Sequence, residues 1–286
     1  MASRETRSAP EREQPAPAAQ RADDAFLLET VITAARQAAA AIREHEPGIA
    51  TLRWEEKTPT DFVSIVDRAA EARIADIMRQ RLPDARLLGE ESAPHLDDID
   101  RGIVLVADPL DGTTNFLHGY PAYAVSIAAL VDGELRAGVI LDVPRDELFT
   151  ATAGGGAKRN GAPVSVSSIT TPARALLGTG FPFKRHGDIE PYVARLPEIM
   201  RAIAGIRRPG AAALDLAAVA CGRFDAFWEL SLAPWDVAAG ILLVREAGGV
   251  VTDFGGIDSR VAHAGIVAGN PFMHRWLLDQ LVNPES

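Results

Sequence analysis

The sequence predicts an α/β protein in which an α+β N-terminal half is joined to an α/β C-terminal half. Residues 24–45 and 64–81 repeat apolar side chains with helical spacing. Apolar runs between residues 123 and 151 are separated by Asp-Gly and Pro-Arg-Asp turns, which is typical of an antiparallel meander. After residue 172, strand-like and helix-like stretches alternate. The change of pattern near residue 165 divides the chain into residues 24–165 and 166–286.

The N-terminal elements follow from composition and turn signals. Residues 1–23 are rich in Ala, Pro, Glu and Arg, and such a segment buries too little apolar surface to offset its ordering entropy. We therefore expect a disordered tail. Asp24 is the expected N-cap of the first helix. The polar residues 55–61 are predicted to form a loop, and Asp67 falls near the first turn of the second helix, where a carboxylate complements the helix dipole.

The second half is predicted to contain four strands and four helices, each bounded by Gly, Pro or charged residues. The strands are expected at residues 175–179, 225–230, 250–254 and 265–268, and the helices at residues 191–204, 211–222, 234–247 and 271–282.

Composition limits the classes of partner. The 286 residues carry a net charge of −10, which argues against nucleic acid because phosphate backbones require clustered Lys and Arg. A single cysteine provides neither a disulfide framework nor a thiolate metal site. No secretory signal is recognised, and no apolar run of bilayer length is expected. These observations predict a cytoplasmic protein with no membrane partner.

The candidate metal-binding residues are concentrated directly after one predicted strand. A β-branched apolar run leads into Asp108, and Asp111 is expected to face it across a turn. Gly112 follows where the chain curls back, and Thr113 adds a hydroxyl. Two carboxylates this close repel each other unless a cation lies between them, and Mg²⁺ prefers oxygen ligands of this kind. The alternative is an Asp-rich surface turn.

Further acids can join this pair. Glu90 follows the apolar run at residues 86–89, so two neighbouring strands would place it beside Asp108. Asp236 lies in the first turn of the helix predicted at residues 234–247, and Glu229 ends a predicted strand. Ligands of open α/β sheets bind beyond the carboxyl ends of the strands, where both would lie. Taken singly, each acid also has an ordinary structural explanation in a turn or on a helix dipole.

Together these residues closely resemble the inositol monophosphatase family of Mg²⁺-dependent, lithium-sensitive phosphatases. The matching motifs are GEES at residues 89–92, DPLDGTTNF at 108–116 and PWDVAAG at 234–240, supported by VSIVD at 63–67 and REAGG at 245–249. The resemblance extends from about residue 25 to the C-terminus. It implies a layered αβαβα sandwich of the sugar phosphatase type, assembled as a homodimer.

The resemblance also implies roles for individual residues. Ligands of the first Mg²⁺ would be Glu90, Asp108 and the carbonyl of Leu110. Ligands of the second would be Asp108, Asp111 and Asp236, and a third, weaker ion would use Glu90. Asp67 and Thr113 match the pair that orients and deprotonates the attacking water. Positions matching the contacts to the substrate are Asp111, Gly112, Thr113, Gly210, Ala212, Glu229 and Asp236.

The implied activity is hydrolysis of a small polyol phosphate, above all inositol 1-phosphate, by metal-activated water. Relatives acting on fructose 1,6-bisphosphate, histidinol phosphate, a 3′-phosphoadenosine nucleotide or NADP are alternatives, as is a non-catalytic regulatory member of the fold. Ala211 departs from the family, which has Ser or Thr there. Lys57 stands near a family lysine, whereas residues 181–183 and Asp215 resemble the bacterial branch of the family.

Overall fold

The computed structural model of the chain describes residues 23–51, 54–58, 61–92, 99–183, 185–259, 261 and 264–282. Within these ranges the α-helices are α1 (Asp24–His45), α2 (Ile65–Arg81), α3 (Thr113–Leu117), α4 (Ile189–Ala202), α5 (Ala212–Ala220), α6 (Pro234–Glu246) and α7 (Pro271–Val282). The strands are β1 (Trp54–Thr58), β2 (Asp61–Ser64), β3 (Arg86–Gly89), β4 (Ile103–Asp111), β5 (Ala124–Val131), β6 (Glu134–Asp142), β7 (Glu147–Thr152), β8 (Gly156–Arg159), β9 (Ala162–Pro163), β10 (Leu176–Thr179), β11 (Gly205–Arg207), β12 (Ala226–Leu232), β13 (Val250–Thr252) and β14 (Ala264–Gly269).

Two sheets and three helical layers form the predicted αβαβα sandwich. The first sheet has the order β3-β4-β5-β6-β7-β8-β9, and the second has the order β11-β10-β12-β14-β13. Helices α1 and α2 cover the outer face of the first sheet, and α5 and α6 lie between the two sheets. Helices α4 and α7 cover the second sheet. The α/β fold class and the layered architecture are therefore confirmed.

The strand directions decide where the acids meet. Strand β3 runs parallel to β4, and β4 through β9 continue as an antiparallel meander. In the second sheet, β10 is parallel to β11 and β12, whereas β14 is antiparallel to β12 and β13. The parallel pair brings the carboxyl ends of β3 and β4 to the same edge, as the sequence predicted for Glu90 and Asp108.

Helix α1 is a core helix of this fold. With the turn after it (Asp24–Ile49), it is long and apolar enough by composition to cross a membrane, which the sequence analysis did not expect. Much of its apolar character comes from alanine, so no run of large side chains reveals it. The buried face, which includes Leu27, Val31 and Ile42, packs against α2 and the first sheet.

Several local predictions need correction. Asp23, not Asp24, is the N-cap of α1, since its side chain accepts a hydrogen bond from the Ala25 amide at 3.3 Å. The loop predicted at residues 55–61 overlaps most of β1 and the first residue of β2, and these two strands pair antiparallel. Their polar sequence gives no burial signal, so cross-strand pairing outweighs propensity there. In the second half, most element ends move by one or two residues, and β11 was not predicted.

The predicted tail lies almost entirely outside the described residues, which begin at Asp23. The division of the chain at residue 165 stays a prediction.

Candidate active site

A cleft with a volume of about 580 Å³ opens where β4, α5, α6 and β12 approach one another. Ten of the eleven site residues that the family resemblance implies line it, and they come from both halves of the chain. They are Glu90, Asp108, Leu110, Asp111, Gly112, Thr113, Gly210, Ala212, Glu229 and Asp236. Asp67 is not part of the lining, but it contacts the cleft through Thr113.

The pairing of β3 with β4 positions the first acid. Gly89 lies opposite Ala107, and the amide of Glu90 donates a hydrogen bond to the Ala107 carbonyl at 3.3 Å. The backbone of Glu90 is thereby fixed beside the residue that precedes Asp108. The negative charge of Glu90 raises the pKa of Asp108, which reports how near the two carboxylates are.

Strand β4 does not end at Asp108 as the sequence suggested. It continues to Asp111, and its register against β5 shifts between these two residues. The amide of Leu110 donates to Asp108 Oδ1 at 2.9 Å within this irregular stretch. A bulge of this kind re-aims side chains at the edge of a sheet, so both acids line the same cleft although an ordinary strand would alternate their faces.

Gly112 ends this segment in a conformation that requires glycine. Its φ is +91°, and a Cβ there would lie 2.8 Å from the carbonyl oxygen of Ala122. The chain can therefore turn directly from Asp111 into α3. Asp111 Oδ2 accepts a hydrogen bond from the amide of Ala213 at 2.8 Å, which ties the acid to the N-terminal end of α5.

The acids raise one another's pKa values. Burial raises the pKa of Asp108 well above its usual range, and the charges of Glu90, Asp111 and Asp236 raise it further. Burial and the charge of Asp236 also raise the pKa of Asp111 well above its usual range. The hydrogen bond from the Ala213 amide acts in the opposite direction and lowers that pKa. A cluster of buried like charges is costly without positive charge nearby.

The chemistry of these donors fits Mg²⁺. Glu90, Asp108, Asp111 and Asp236 offer carboxylate oxygens, and Leu110 offers a carbonyl, all of which are hard ligands. Among the described residues, no three acid, histidine or cysteine side chains are already gathered around one point. An ion held here would complete its shell with water or phosphate oxygens, as Mg²⁺ commonly does.

Asp67 and Thr113 form a hydrogen-bonded pair beside the acid cluster, which consists of Glu90, Asp108, Asp111 and Asp236. Thr113 Oγ1 lies 2.9 Å from Asp67 Oδ1 and 3.1 Å from the Leu110 carbonyl, and its single hydroxyl proton serves one of them at a time. Asp67 Oδ2 accepts from the amide and hydroxyl of Ser64 at 2.8 and 2.7 Å, so Asp67 also caps α2. Burial raises the pKa of Asp67, against these hydrogen bonds.

Glu71 is a positioning residue that the sequence analysis missed. It lies one helical turn after Asp67 on α2 and is buried. Its two carboxylate oxygens accept from the amides of Glu91 and Ser92 at 2.9 and 2.8 Å, which fixes the turn that follows Glu90. The i, i+4 spacing of two acids on an otherwise amphipathic helix was the available signal.

The second half supplies the opposite side of the cleft. Asp236 is the third residue of α6, and its Oδ2 accepts from the amide of Ala233 at 2.7 Å. Glu229 lies within β12 rather than at its end. A Cβ on Gly180 would lie 2.0 Å from the carboxyl carbon of Glu229, so only glycine allows this approach. Gly180 was not selected from the sequence.

Aromatic rings and an arginine complete this side. The guanidinium of Arg208 lies 5.6 Å from the ring centroid of Phe181 and 4.9 Å from that of Phe183. All three residues line the cleft, as does Asp215. Burial and the charges of Glu229 and Asp111 raise the pKa of Asp215 well above its usual range. Arg208 was missed because two adjacent arginines before a Pro-Gly turn carry no pattern that indicates a site.

Lys57 lies in β1, but its side chain is outside the part of the chain that the structure describes. Its contribution to the cleft stays a prediction.

Comparison with known proteins gives a consistent family. The sequence model of the inositol monophosphatase family matches residues 23–285. A Pseudomonas aeruginosa protein named Nus factor SuhB is 44% identical over 256 residues, covering 88% of this chain and 94% of its own. The extragenic suppressor protein suhB from Bartonella henselae has a TM-score of 0.84 and 41% identity, covering 89% of this chain and 98% of that one. An inositol monophosphatase from Anabaena sp. PCC 7120 has a TM-score of 0.78 and 39% identity, covering 89% and 94%.

Proposed function

Because this chain belongs to the inositol monophosphatase family, we propose that it is a Mg²⁺-dependent phosphomonoesterase that hydrolyses a small polyol phosphate, most directly inositol 1-phosphate. One observation carries the proposal. Acids from three separate segments of the chain line a single cleft, together with the Thr113 hydroxyl. No structural role offsets the repulsion between these carboxylates. Cations that also bind a phosphate would neutralise that repulsion.

The ligands proposed for two ions share Asp108. Glu90, Asp108 and the Leu110 carbonyl would hold the first ion, and Asp108, Asp111 and Asp236 the second, with a third, weaker ion on Glu90. Bound Mg²⁺ supplies positive charge to the phosphate oxygens and lowers the pKa of coordinated water. The protein contributes the fixed positions of these oxygens, which it holds through the amides of Leu110, Ala213 and Ala233.

Thr113 and Asp67 would take the proton of the attacking water. The water donates to Thr113 Oγ1 while Thr113 donates to Asp67 Oδ1, so the proton ends on Asp67. A raised pKa makes Asp67 a better proton acceptor than an exposed aspartate. The water oxygen bonds to phosphorus as the bond from phosphorus to the alcohol oxygen breaks, and a second water would protonate that oxygen. The hydroxide that this leaves would take up the proton held by Asp67, which restores both groups.

The alcohol would lie against residues of the second half. Glu229, Asp236 and the backbone of Gly210 and Ala212 are the proposed contacts for its hydroxyls, and Asp111, Gly112 and Thr113 complete them. Ala211 brings no hydroxyl to this surface. The homodimer, the cytoplasmic location and the absence of a nucleic-acid partner stay predictions.

A regulatory role is the second candidate, because relatives 44% identical to this chain are named Nus factors. The complete acid cluster favours catalysis, since a purely regulatory protein has no need to retain it. The two roles can also coexist in one protein, since a regulatory contact on the surface leaves the cleft free.

Phosphate release by the purified chain tests the proposal. Inositol 1-phosphate, fructose 1,6-bisphosphate, histidinol phosphate, a 3′-phosphoadenosine nucleotide and NADP are compared with Mg²⁺ and with a chelator. We expect inositol 1-phosphate to give the highest kcat/KM, with activity lost on chelation and inhibited by Li⁺. Release from none of these esters at any Mg²⁺ concentration would contradict the proposal and leave the regulatory candidate.

A further inference from the structure

We propose that Asp215 is a specificity-determining residue whose buried Oδ1 accepts a hydrogen bond from a hydroxyl of the polyol. The inference rests on the proposed function and adds to it a contact that the motif comparison did not assign. This contact would favour substrates whose alcohol carries a hydroxyl at the position that faces α5.

One buried oxygen of Asp215 has no hydrogen-bond partner. Asp215 lies in the first turn of α5 and lines the cleft, yet it is only 2% exposed. Its Oδ1 is the one fully buried side-chain oxygen or nitrogen, among the residues that the structure describes, with no hydrogen-bond partner. Buried polar atoms are almost always paired, and leaving one unpaired destabilises the fold. A partner that enters through the cleft resolves this cost.

The neighbouring residues do not provide that partner. Ala211, Ala212 and Ala213 precede Asp215 on the same helix end and carry only methyl groups. The positive charge of Arg208 acts on Asp215, but its guanidinium lies over the rings of Phe181 and Phe183 and leaves Oδ1 unpaired. Since Asp215 lines the cleft, the remaining source of a partner for its carboxyl group is a molecule bound there.

The electrostatic surroundings indicate which group would bind. Glu229 and Asp111 both act on Asp215 with negative charge, so a phosphate or carboxylate placed here would be repelled. A metal ion is better served by the four acids described above, whose carboxylates lie with the Leu110 carbonyl along the same cleft. An uncharged donor fits best. Alcohol hydroxyls are the donors that a polyol phosphate carries in number.

Asp111 links this position to the reacting phosphate. Its Oδ2 accepts from the Ala213 amide, two residues before Asp215, and its carboxylate belongs to the acid cluster. The distance between the phosphate and the hydroxyl at Asp215 is thereby set by the rigid first turn of α5. Asp215 would therefore bind a hydroxyl of the alcohol at a fixed position relative to the scissile bond.

Steady-state kinetics of Asp215→Ala and Asp215→Asn test the inference with two esters. For inositol 1-phosphate, we expect Asp215→Ala to lower kcat/KM by about tenfold or more, mainly through KM, because a hydrogen bond to a carboxylate is lost. For p-nitrophenyl phosphate, whose alcohol carries no hydroxyl, kcat/KM should stay within about twofold. Asp215→Asn keeps an acceptor oxygen and should retain most of the activity toward inositol 1-phosphate.

Deoxy analogues identify the hydroxyl. Wild-type protein should lose about as much kcat/KM on one deoxyinositol phosphate as Asp215→Ala loses on the full substrate, and combining the two should cost little more. Equal losses on both esters, or additive losses with every deoxy analogue, would overturn the contact while leaving phosphatase activity established. Wild-type protein inactive on every ester would overturn the proposed function and this inference together. If Asp215→Ala fails to fold, the same cycle is run with Asp215→Leu, which also lacks an acceptor oxygen but fills more of the space that the aspartate occupies.

Discussion

The two sides of the cleft are built in different ways. The acid cluster consists of Glu90, Asp108, Asp111 and Asp236. The recognition surface consists of Phe181, Phe183, Arg208, Asp215 and Glu229. Main-chain amides hold three of the four acids, through bonds of 2.7–2.9 Å. On the recognition surface, side chains contact side chains, and the rings of Phe181 and Phe183 are 37% and 52% exposed.

This difference separates chemistry from specificity. A contact made by the main chain survives most substitutions of its donor residue, so the geometry of the acid cluster is resistant to sequence change. Contacts between side chains are lost or remade by one substitution. We therefore expect the proposed reaction to be preserved more strictly than the choice of alcohol. The predictions below test that separation, beginning with the largest effect.

Asp108→Asn should nearly abolish turnover. The substitution removes the carboxylate proposed to serve both ions, and we expect kcat to fall by about a thousandfold, the scale of losing a charge-stabilising group. Phosphate release with inositol 1-phosphate measures it. Because burial and like charges raise the pKa of Asp108, the neutral amide should fold at least as stably as wild type. Near-wild-type turnover would contradict the assignment of the acid cluster.

Glu71→Gln should weaken Mg²⁺ binding while leaving the alcohol side unaffected. One of the two carboxylate oxygens that order the turn after Glu90 becomes an NH₂ group facing an amide donor. Losses of about tenfold are usual when a group that supports a metal ligand is changed. The Mg²⁺ concentration at half-maximal activity measures the effect.

Asp76→Asn on the same helix is the matched control, since Asp76 is exposed and Arg79 is its one ionic partner within the described residues. An unchanged Mg²⁺ requirement in Glu71→Gln would contradict this prediction. It would show that the turn after Glu90 keeps its conformation without both Glu71 oxygens.

Gly180→Ala should act on the recognition surface alone. The added methyl would lie 2.0 Å from the Glu229 carboxyl carbon, so Glu229 must move. We expect KM for inositol 1-phosphate to rise by about tenfold, the cost of one lost hydrogen bond, with kcat within about twofold. Gly187→Ala is the control, because no described residue other than its chain neighbours comes within 4 Å of the added Cβ. A fall in kcat with unchanged KM would break the proposed separation.

Mg²⁺ should stabilise the protein more at high pH than at low pH. The raised pKa values of Asp108 and Asp111 mean that the folded, metal-free protein binds more protons than the unfolded chain above about pH 4. Its stability therefore falls as the pH rises toward those pKa values, and Mg²⁺ then binds the ionised acids. We expect the gain in Tm on adding Mg²⁺ to be several degrees larger at about pH 8 than at about pH 5.5.

Melting curves at both pH values measure this gain, and Asp108→Asn should show a smaller one. An equal gain at both pH values would contradict the coupling of the acids to the ion.

The sequence predicted the four acids of the cluster better than it predicted the residues around them. Glu90 and Asp108 end apolar runs that pair as neighbours, so local pattern and sheet topology agree. Glu71 hydrogen-bonds to amides 20 or more positions along the chain, and Arg208 contacts the rings of Phe181 and Phe183, which are also distant in sequence. No short motif encodes such contacts. The hairpin of β1 and β2 was missed because its mostly polar residues show no apolar alternation, although the two short strands pair antiparallel.

The fold was predicted in its order of elements but not in its irregularities. The continuation of β4 past Pro109 to Asp111 depends on a shift against β5, which only the paired strand determines. Proline at that position usually ends a central strand, so the sequence suggested a turn. The irregularity lies where the two acids need to share a cleft, and functional sites are where local rules are most often broken.

The hydrogen bond from Ala213 to Asp111 joins residues 102 positions apart in the chain. During synthesis, the first sheet can form well before α5 and α6 leave the ribosome, with its acids already gathered but without their later partners. The nascent protein thus passes through a stage in which its most strongly repelling charges are incompletely supported. Asp236 is the last of the four acids to emerge, so the ability to retain magnesium would arrive late in biogenesis and would mark a chain whose two sheets have docked.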